Sequence, residues 1–424
     1  MLFLGVAVCL VLLIAGVPLF IAFAIGGLII IMLQFGLPLY NLSVFFFDPI
    51  NSFLLLAVPL FTLAGQLMQE SGMGKSLVDF VGSFIGRVPG GIAVTAIVAS
   101  TVVGALTGSN LAVLTSMGSV LFPAMVSAKY EKGYAGAVLC SSCQIGFLIP
   151  PSVPFIIYGF MTNSSVPKLF IAGIIPGILL AALLGITAVI IAKRRGYPSL
   201  QRVNPKERKT MFLKALPAII MPIIVLGGIY SGIFTPTEAA AVACVYTLLV
   251  GAFVYRELNL KNIWSSVIQS TQLTCVILVL FCGIMVLSKA FMTAGIPRLL
   301  GEWVIESGLN QTLFLAMLCV VFALLGVIMD AFAAVAILPL VVSSAANLGI
   351  NPIHLGVLFV VGSAIGTMTP PVAGALYLTS TVFNIPSTEL MKEIVPFLTV
   401  TILLIFILAL FPEISLWLPS TMVS

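Results

Sequence analysis

The chain has 424 residues, 61% of them hydrophobic and only 7% charged, with a mean hydropathy of +1.26. Soluble domains carry about 25% charged residues, so this composition excludes a soluble enzyme or binding module and leaves a polytopic α-helical membrane protein. Its apolar runs are continuous and about 20 residues or longer, which excludes a β-barrel of alternating ten-residue strands. The net charge of +5 reflects basic loops and does not indicate a nucleic-acid partner.

The first half, 1–192, opens with an apolar run over 2–36 broken at Pro18, which predicts two spans or one interrupted hairpin. Met1 to Gly16 lacks a basic n-region and a small-residue cleavage site, so it reads as membrane helix and not as a removable signal. A third span is expected over Ile50–Glu70. An amphipathic piece over 74–86 follows, with Leu77, Val78, Phe80, Val81, Phe84 and Ile85 on one side and Lys75 and Asp79 on the wet side. The stretch 91–126 has Thr107-Gly108-Ser109-Asn110 near its centre. Half of it reaches roughly 25 Å at 1.5 Å per residue, which fits a re-entrant hairpin with a polar tip. A proline-broken span over 134–163 and a span over 169–192 close this half.

Next comes a basic linker, 193–213. Eight Lys or Arg lie between Lys193 and Lys214, which by the positive-inside rule puts this loop in the cytoplasm. The second half, 214–424, repeats the order. Spans are expected at about 214–233, 236–255 and 265–288, an amphipathic piece at 296–306, a hairpin over 309–346, a broken span over 353–380 and a last span over 394–418.

Two stretches define both broken spans: Gly146-Phe147-Leu148-Ile149-Pro150-Pro151-Ser152 and Gly366-Thr367-Met368-Thr369-Pro370-Pro371-Val372. Proline removes an N–H and pushes the preceding residue out of the α region. Freed peptide groups in hydrocarbon cost several kcal/mol each unless they line a wet or protein-buried cavity. Paired breaks in two half-chains point to a transporter's binding site. The offset is nearly constant: Gly72 to Gly295 is 223, Gly104 to Gly326 is 222, and Gly146 to Gly366 is 220. Five crossings plus a hairpin per half predict inverted topology. In that arrangement fifteen Lys or Arg are cytoplasmic and only Lys168, Lys289 and Arg298 lie outside.

Asp330 is the acidic residue deep in an apolar run, at the turn of the second hairpin. A charge there costs about 2.5 to 3.5 kcal/mol on insertion scales, and no Lys or Arg lies within either hairpin core, so a hard monovalent metal ion is its natural counter-charge. The facing set is Asp330, the carbonyls around Gly366, Met368 and Thr369, and the Thr369 hydroxyl. By the repeat, a second site pairs Thr107, Ser109 and Asn110 with carbonyls around Gly146 and Ile149. A proton relay through Asp330, or plain helix capping by Asp330, Ser109 and Asn110, is the competing reading. Thr235-Pro236-Thr237-Glu238 reads as a capping box. His354 is expected at the mouth of a span in a satisfied interfacial role, and Cys140 and Cys143 as buried small hydrophobes. No HExxH, catalytic triad or nucleotide-binding glycine loop occurs, so an intramembrane enzyme or ATPase is not expected.

The run from Leu226 to Ala241, with Gly104 to Asn110, Ile149-Pro150-Pro151-Ser152 and Gly366 to Pro371, closely resembles the large membrane subunit (large permease) of TRAP transporters, the tripartite ATP-independent periplasmic family. The resemblance covers essentially the whole chain. It implies a sodium-coupled secondary importer of organic acids, such as C4-dicarboxylates or sialic acid, in the bacterial inner membrane. The implied partners are a small four-helix membrane subunit, supplied as a separate chain, and a periplasmic substrate-binding protein. The implied fold is of the elevator type, similar to the divalent-anion/sodium symporters. The hairpins and broken spans move, and the amphipathic pieces act as arms. No cofactor is implied beyond sodium as coupling ion. Substrate is then expected near the midplane, held by bound sodium and by helix N-termini around Ser109, Asn110, Pro150, Pro151, Ser152, Pro370 and Pro371. A self-sufficient sodium- or proton-coupled carboxylate symporter and an ion channel are the alternatives.

Overall fold

The computed structural model describes residues 2–36, 40–47, 50–85, 89–198, 204–328, 333–370 and 373–422. All its regular structure is helical. In the first half the helices are α1 (Leu2–Ile14), α2 (Leu19–Phe35), α3 (Tyr40–Phe47), α4 (Ala57–Glu70), α5 (Met73–Ile85), α6 (Gly91–Thr107), α7 (Asn110–Ser127), α8 (Lys132–Ser142), α9 (Ile145–Leu148), α10 (Val153–Thr162) and α11 (Val166–Arg195). The second half contains α12 (Pro205–Tyr230), α13 (Pro236–Leu249), α14 (Leu260–Thr293), α15 (Ile296–Glu306), α16 (Gln311–Ile328), α17 (Leu338–Asn347), α18 (Pro352–Met368), α19 (Gly374–Phe383), α20 (Ser387–Leu410) and α21 (Glu413–Met422). Among the described residues, six helices are long and apolar enough to cross a membrane. The pair α8–α9 and α10, bent by 41°, passes the same length and composition test when taken together, which gives up to seven.

Local chemistry sets the boundaries. The run 2–36 is two helices packed on each other, parted at Pro18. The capping box at α13 is formed in full: the Thr235 hydroxyl accepts from the Glu238 N–H, and the Glu238 carboxylate accepts from the Thr235 N–H. Helix α11 runs on through Lys193, Arg194 and Arg195, where cations complement the C-terminal dipole. Helix α12 starts early, with Asn204 as its N-cap and Pro205 in its first turn. The basic linker is therefore helical at both ends. The last span does not run to 418 as expected, because Pro412 ends it. Phe411 turns extended at φ −125° and ψ 77°, and α21 follows as a separate helix.

Two groups of helices pack in different ways. Helix α14 lies along both α2 and α4, with α1 on α2 and α13 on α4 and α12. The second group interleaves the halves: α8 packs on α20, α11 on α18 and α20, and α9 on α18. Helices α6 and α7 pack on each other and on α8 and α9, and α16 packs on α18. The main apolar core runs through this second group and on into α4, α5, α12 and α13, and a smaller one lies among α1, α2 and α14.

Two contacts there have no room for a side chain. A Cβ on Gly104 would lie 2.8 Å from the Cα of Gly146, and a Cβ on Gly326 would lie 2.7 Å from the Cα of Gly366. Helices α6 and α16 thus meet a broken span backbone to backbone, the close approach that small residues permit between membrane helices. Gly104→Ala and Gly326→Ala should each cost about 1 to 3 kcal/mol by overpacking. Gly185→Ala faces open space and should be neutral. Thermal unfolding of the detergent-purified variants checks both expectations.

Candidate functional site

The turn between α6 and α7 and the first break are one structure. Gly108 caps α6 in the left-handed region, at φ 60°, its N–H on the Gly104 carbonyl at 3.0 Å. The Gly108 carbonyl accepts from the Val153 N–H at 3.2 Å, and the Gly108 Cα packs on the Pro151 carbonyl. Ser109 turns extended as the N-cap of α7, its hydroxyl oxygen 3.5 Å from the Ala112 N. Thr107 donates its hydroxyl to the carbonyls of Val103 at 3.1 Å and Ser109 at 3.4 Å.

On the facing side, Ile149 is extended, at φ −77° and ψ 124°, and the Pro150–Pro151 peptide is cis. Ser152 donates to the Phe147 carbonyl at 2.5 Å and accepts from the Phe155 N–H as the N-cap of α10. The N-termini of α7 and α10 thus converge beside the unwound residues 149–152. Both bring the positive end of a helix dipole, which suits anions, but in α10 Val153 donates to Gly108, Phe155 to Ser152, and Pro154 has no N–H. Carbonyls freed by the break suit hard cations.

Sequence reasoning missed the residue that holds this centre together. Gln144, fully buried between α8 and α9, presents its side-chain oxygen to two donors. The Asn110 amide reaches it at 3.3 Å from α7, and the Thr367 hydroxyl at 2.8 Å from α18. Its own amide nitrogen donates to the Cys140 carbonyl at 3.2 Å. The signal was available as a lone glutamine in an apolar run, two residues before Gly146.

The expected residues therefore fall into three groups. Thr107, Ser109, Asn110, Gly146, Ile149, Pro150, Pro151 and Ser152 come together around the first break. Gly366, Met368, Thr369 and Pro370 lie at the end of α18, which Thr367 ties to Gln144. Thr369 closes that helix with its N–H on the Gly366 carbonyl at 3.0 Å and its hydroxyl on Ile365 at 2.7 Å. Asp330 and Pro371 lie outside the described residues.

Other expectations fare unevenly. Ser109 does cap its helix, whereas Asn110 is spent on Gln144. Cys140 and Cys143 are buried. His354 departs from its expected satisfied role: it is 1% exposed inside the fold, and among the described residues neither ring nitrogen has a hydrogen-bond partner. Its place in the first turn of α18, packed against α11 and α21, buries it.

Helices broken at prolines and held by buried polar side chains, in a polytopic apolar chain, have the make-up of a membrane transporter. Residues 6–414 match the family described as "Tripartite ATP-independent periplasmic transporter, DctM component", and the chain belongs to that family. It is 36% identical over 397 residues to the C4-dicarboxylate TRAP transporter large permease protein DctM of Pseudomonas aeruginosa, covering 93% of each chain. It is 34% identical over 372 residues to the sialic acid TRAP transporter large permease protein SiaM of Vibrio cholerae, covering 88% of this chain and 87% of that one. The fold is similar to that of the YdaH transporter of Alcanivorax borkumensis, with a TM-score of 0.62 over 88% of this chain and 87% of the other. At 15% identity that likeness concerns the fold alone.

Gln144→Leu keeps the volume but strands the Asn110 amide in a buried site and leaves the Thr367 hydroxyl only the Ala364 carbonyl of its own helix. About 1 to 3 kcal/mol of stability should be lost, and Gln144→Glu, which keeps an acceptor oxygen, should recover part of it. Thermal unfolding of both variants against wild type measures the difference.

Proposed function

We propose that this chain is the large membrane subunit of a sodium-coupled tripartite importer of small organic acids, working with a small membrane subunit and a periplasmic substrate-binding protein. The observation that carries the reading is the recurrence of one device at equivalent positions. Gly104 on Gly146 and Gly326 on Gly366 each bring a helix against a span that prolines then break. This supports two inverted repeats, 1–192 and 214–424, joined by the cytoplasmic basic linker.

Helices α6 and α7 form the first re-entrant hairpin in this reading, and α16 and α17 the second. Helix α7, at 18 residues, is long enough to cross a membrane, so the support for a hairpin is the Gly108–Ser109 tip seated on the break. The hairpins and broken spans form the moving body of an elevator, α5 and α15 are its arms, and the group around α2, α4 and α14 is the scaffold. One sodium sits among Thr107, Ser109, Asn110 and the carbonyls of Gly146 and Ile149. The other sits among Asp330, Thr369 and the carbonyls of Gly366 and Met368. Substrate carboxylate binds between them on the N-termini of α7 and α10 beside Pro150, Pro151 and Ser152, with Pro370 and Pro371 opposite.

The relatives named for C4-dicarboxylates and sialic acid set the substrate class as organic acids without choosing one. Uptake into proteoliposomes holding this chain and its small subunit, with acid-loaded binding proteins outside, tests the reading. Accumulation should require an inward sodium gradient and the binding protein, and Asp330→Ala should raise the sodium requirement about tenfold or more, the equivalent of losing about 1.4 kcal/mol of binding. Uptake without the binding protein would favour a self-sufficient symporter, and current without substrate a channel. Indifference to sodium or to the loss of Asp330 would remove the proposed ion site.

A further inference from the structure

Away from the broken spans, two helix faces oppose each other across a polar cavity of about 570 Å³. From the α5 side come Lys75, Ser76 and Asp79, spaced i, i+1 and i+4 on one face of the helix, with Gly72 just before its start. From α12 come Thr210, Leu213, Lys214 and Pro217, spaced i, i+3, i+4 and i+7. Val254, Tyr255 and Glu257, which follow α13, close one end.

The cleft is open on one side, with Lys75, Asp79, Lys214 and Glu257 all exposed, and its end wall is shaped by the backbone. After α13 the chain winds as a π-helix over Val250–Tyr255, turns left-handed at Arg256, and returns the Glu257 N–H to the Gly251 carbonyl at 3.2 Å. That turn lays the Glu257 carboxylate against Gly72, which has φ 76° and no side chain to block it. Tyr255 donates its hydroxyl to the Lys214 carbonyl. At the far end of α5, the Arg208 guanidinium lies 4.7 Å from the centre of the Phe84 ring, and Phe80 packs on Phe212.

The cavity holds two ammonium groups and two carboxylates, and among the described residues none of the four is in an ion pair. Partial burial raises the Asp79 carboxyl, while Lys75 and Lys214 draw it back down. Leu213 and Val254, at the rim, are 55% and 59% exposed apolar side chains. A mixed-charge cavity with an apolar lip, at the basic end of a span, matches a molecule with an anion and a cation a few bonds apart and a hydrocarbon tail.

We propose that this cavity binds the headgroup of a phosphatidylethanolamine-type lipid. Lys75 and Lys214 hold the phosphate, Asp79 and Glu257 accept from the primary ammonium, and the acyl chains leave along Leu213, Pro217 and Val254. The carboxylates select against anionic lipids. A choline headgroup has no N–H to donate, so it loses the contacts to Asp79 and Glu257. The site lies between one proposed arm and the span behind it, yet its chemistry does not depend on the transport reading.

Native mass spectrometry of the delipidated, detergent-purified full chain, titrated in turn with phosphatidylethanolamine, phosphatidylcholine and phosphatidylglycerol, tests the site. Retention should rank ethanolamine first, by roughly tenfold over the other two, as expected for an added charge-assisted contact. Lys75→Gln with Lys214→Gln should abolish that preference, and Glu257→Gln should raise phosphatidylglycerol retention, while Lys392→Gln, outside the cavity, changes neither. Soluble glycerophosphoethanolamine should compete only weakly; if it displaces the lipid at equal concentration, the ligand is a free phosphoethanolamine ester and the lipid assignment falls. Equal retention of the three lipids by wild type overturns the proposal without any variant, as does an unchanged preference in a folded Lys75/Lys214 variant.

Discussion

Where α6 crosses Gly146 and α16 crosses Gly366, backbones touch with no side chain between them. That contact is the constraint on which the rest of the centre depends. A few residues further on, Pro150 and Pro370 remove the N–H groups that would continue each helix. The unwound residues need a dry, close-fitting neighbour, because peptide groups left open to lipid would cost several kcal/mol each. The glycine contact brings that neighbour in. At the first break its tip supplies the Gly108 carbonyl that takes up the Val153 N–H, so a polar group freed by one element is satisfied by the other.

The same economy explains the side chains. Thr107, Ser152 and Thr369 each return a hydroxyl proton to a backbone carbonyl nearby. Gln144 does more, because its single oxygen is shared by a donor from α7 and a donor from α18, which belong to different halves of the chain. A buried acceptor left with one donor fewer is costly, so a shift of either donor is felt at the other. In the proposed transporter this makes Gln144 the direct mechanical link between the two ion sites.

Much of this was legible in the residues alone. The amphipathic helix at Ile296–Glu306 and the capped start of α13 fall where expected, because amphipathic spacing and the Thr-Pro-Thr-Glu signature are local signals. Both breaks are marked by their prolines for the same reason. The split at Pro412 could have been read by that rule and was passed over because the apolar run continued beyond it. The Gln144 bridge was not legible in the same way, since its two partners lie 34 and 223 positions away in sequence. Nor was the burial of His354, which depends on α11 and α21 closing over the first turn of α18.

The central claim is that the two breaks serve as coupled cation sites, and equilibrium binding of radioactive sodium to the purified chain in the absence of substrate tests it most directly. The account predicts saturable binding with a Hill coefficient above one. Affinity should fall in Ser109→Ala/Asn110→Ala and in Thr369→Ala, and cooperativity should be lost in Gln144→Leu. No saturable sodium binding by the folded wild-type chain, or binding unaltered in all of these variants, would contradict it.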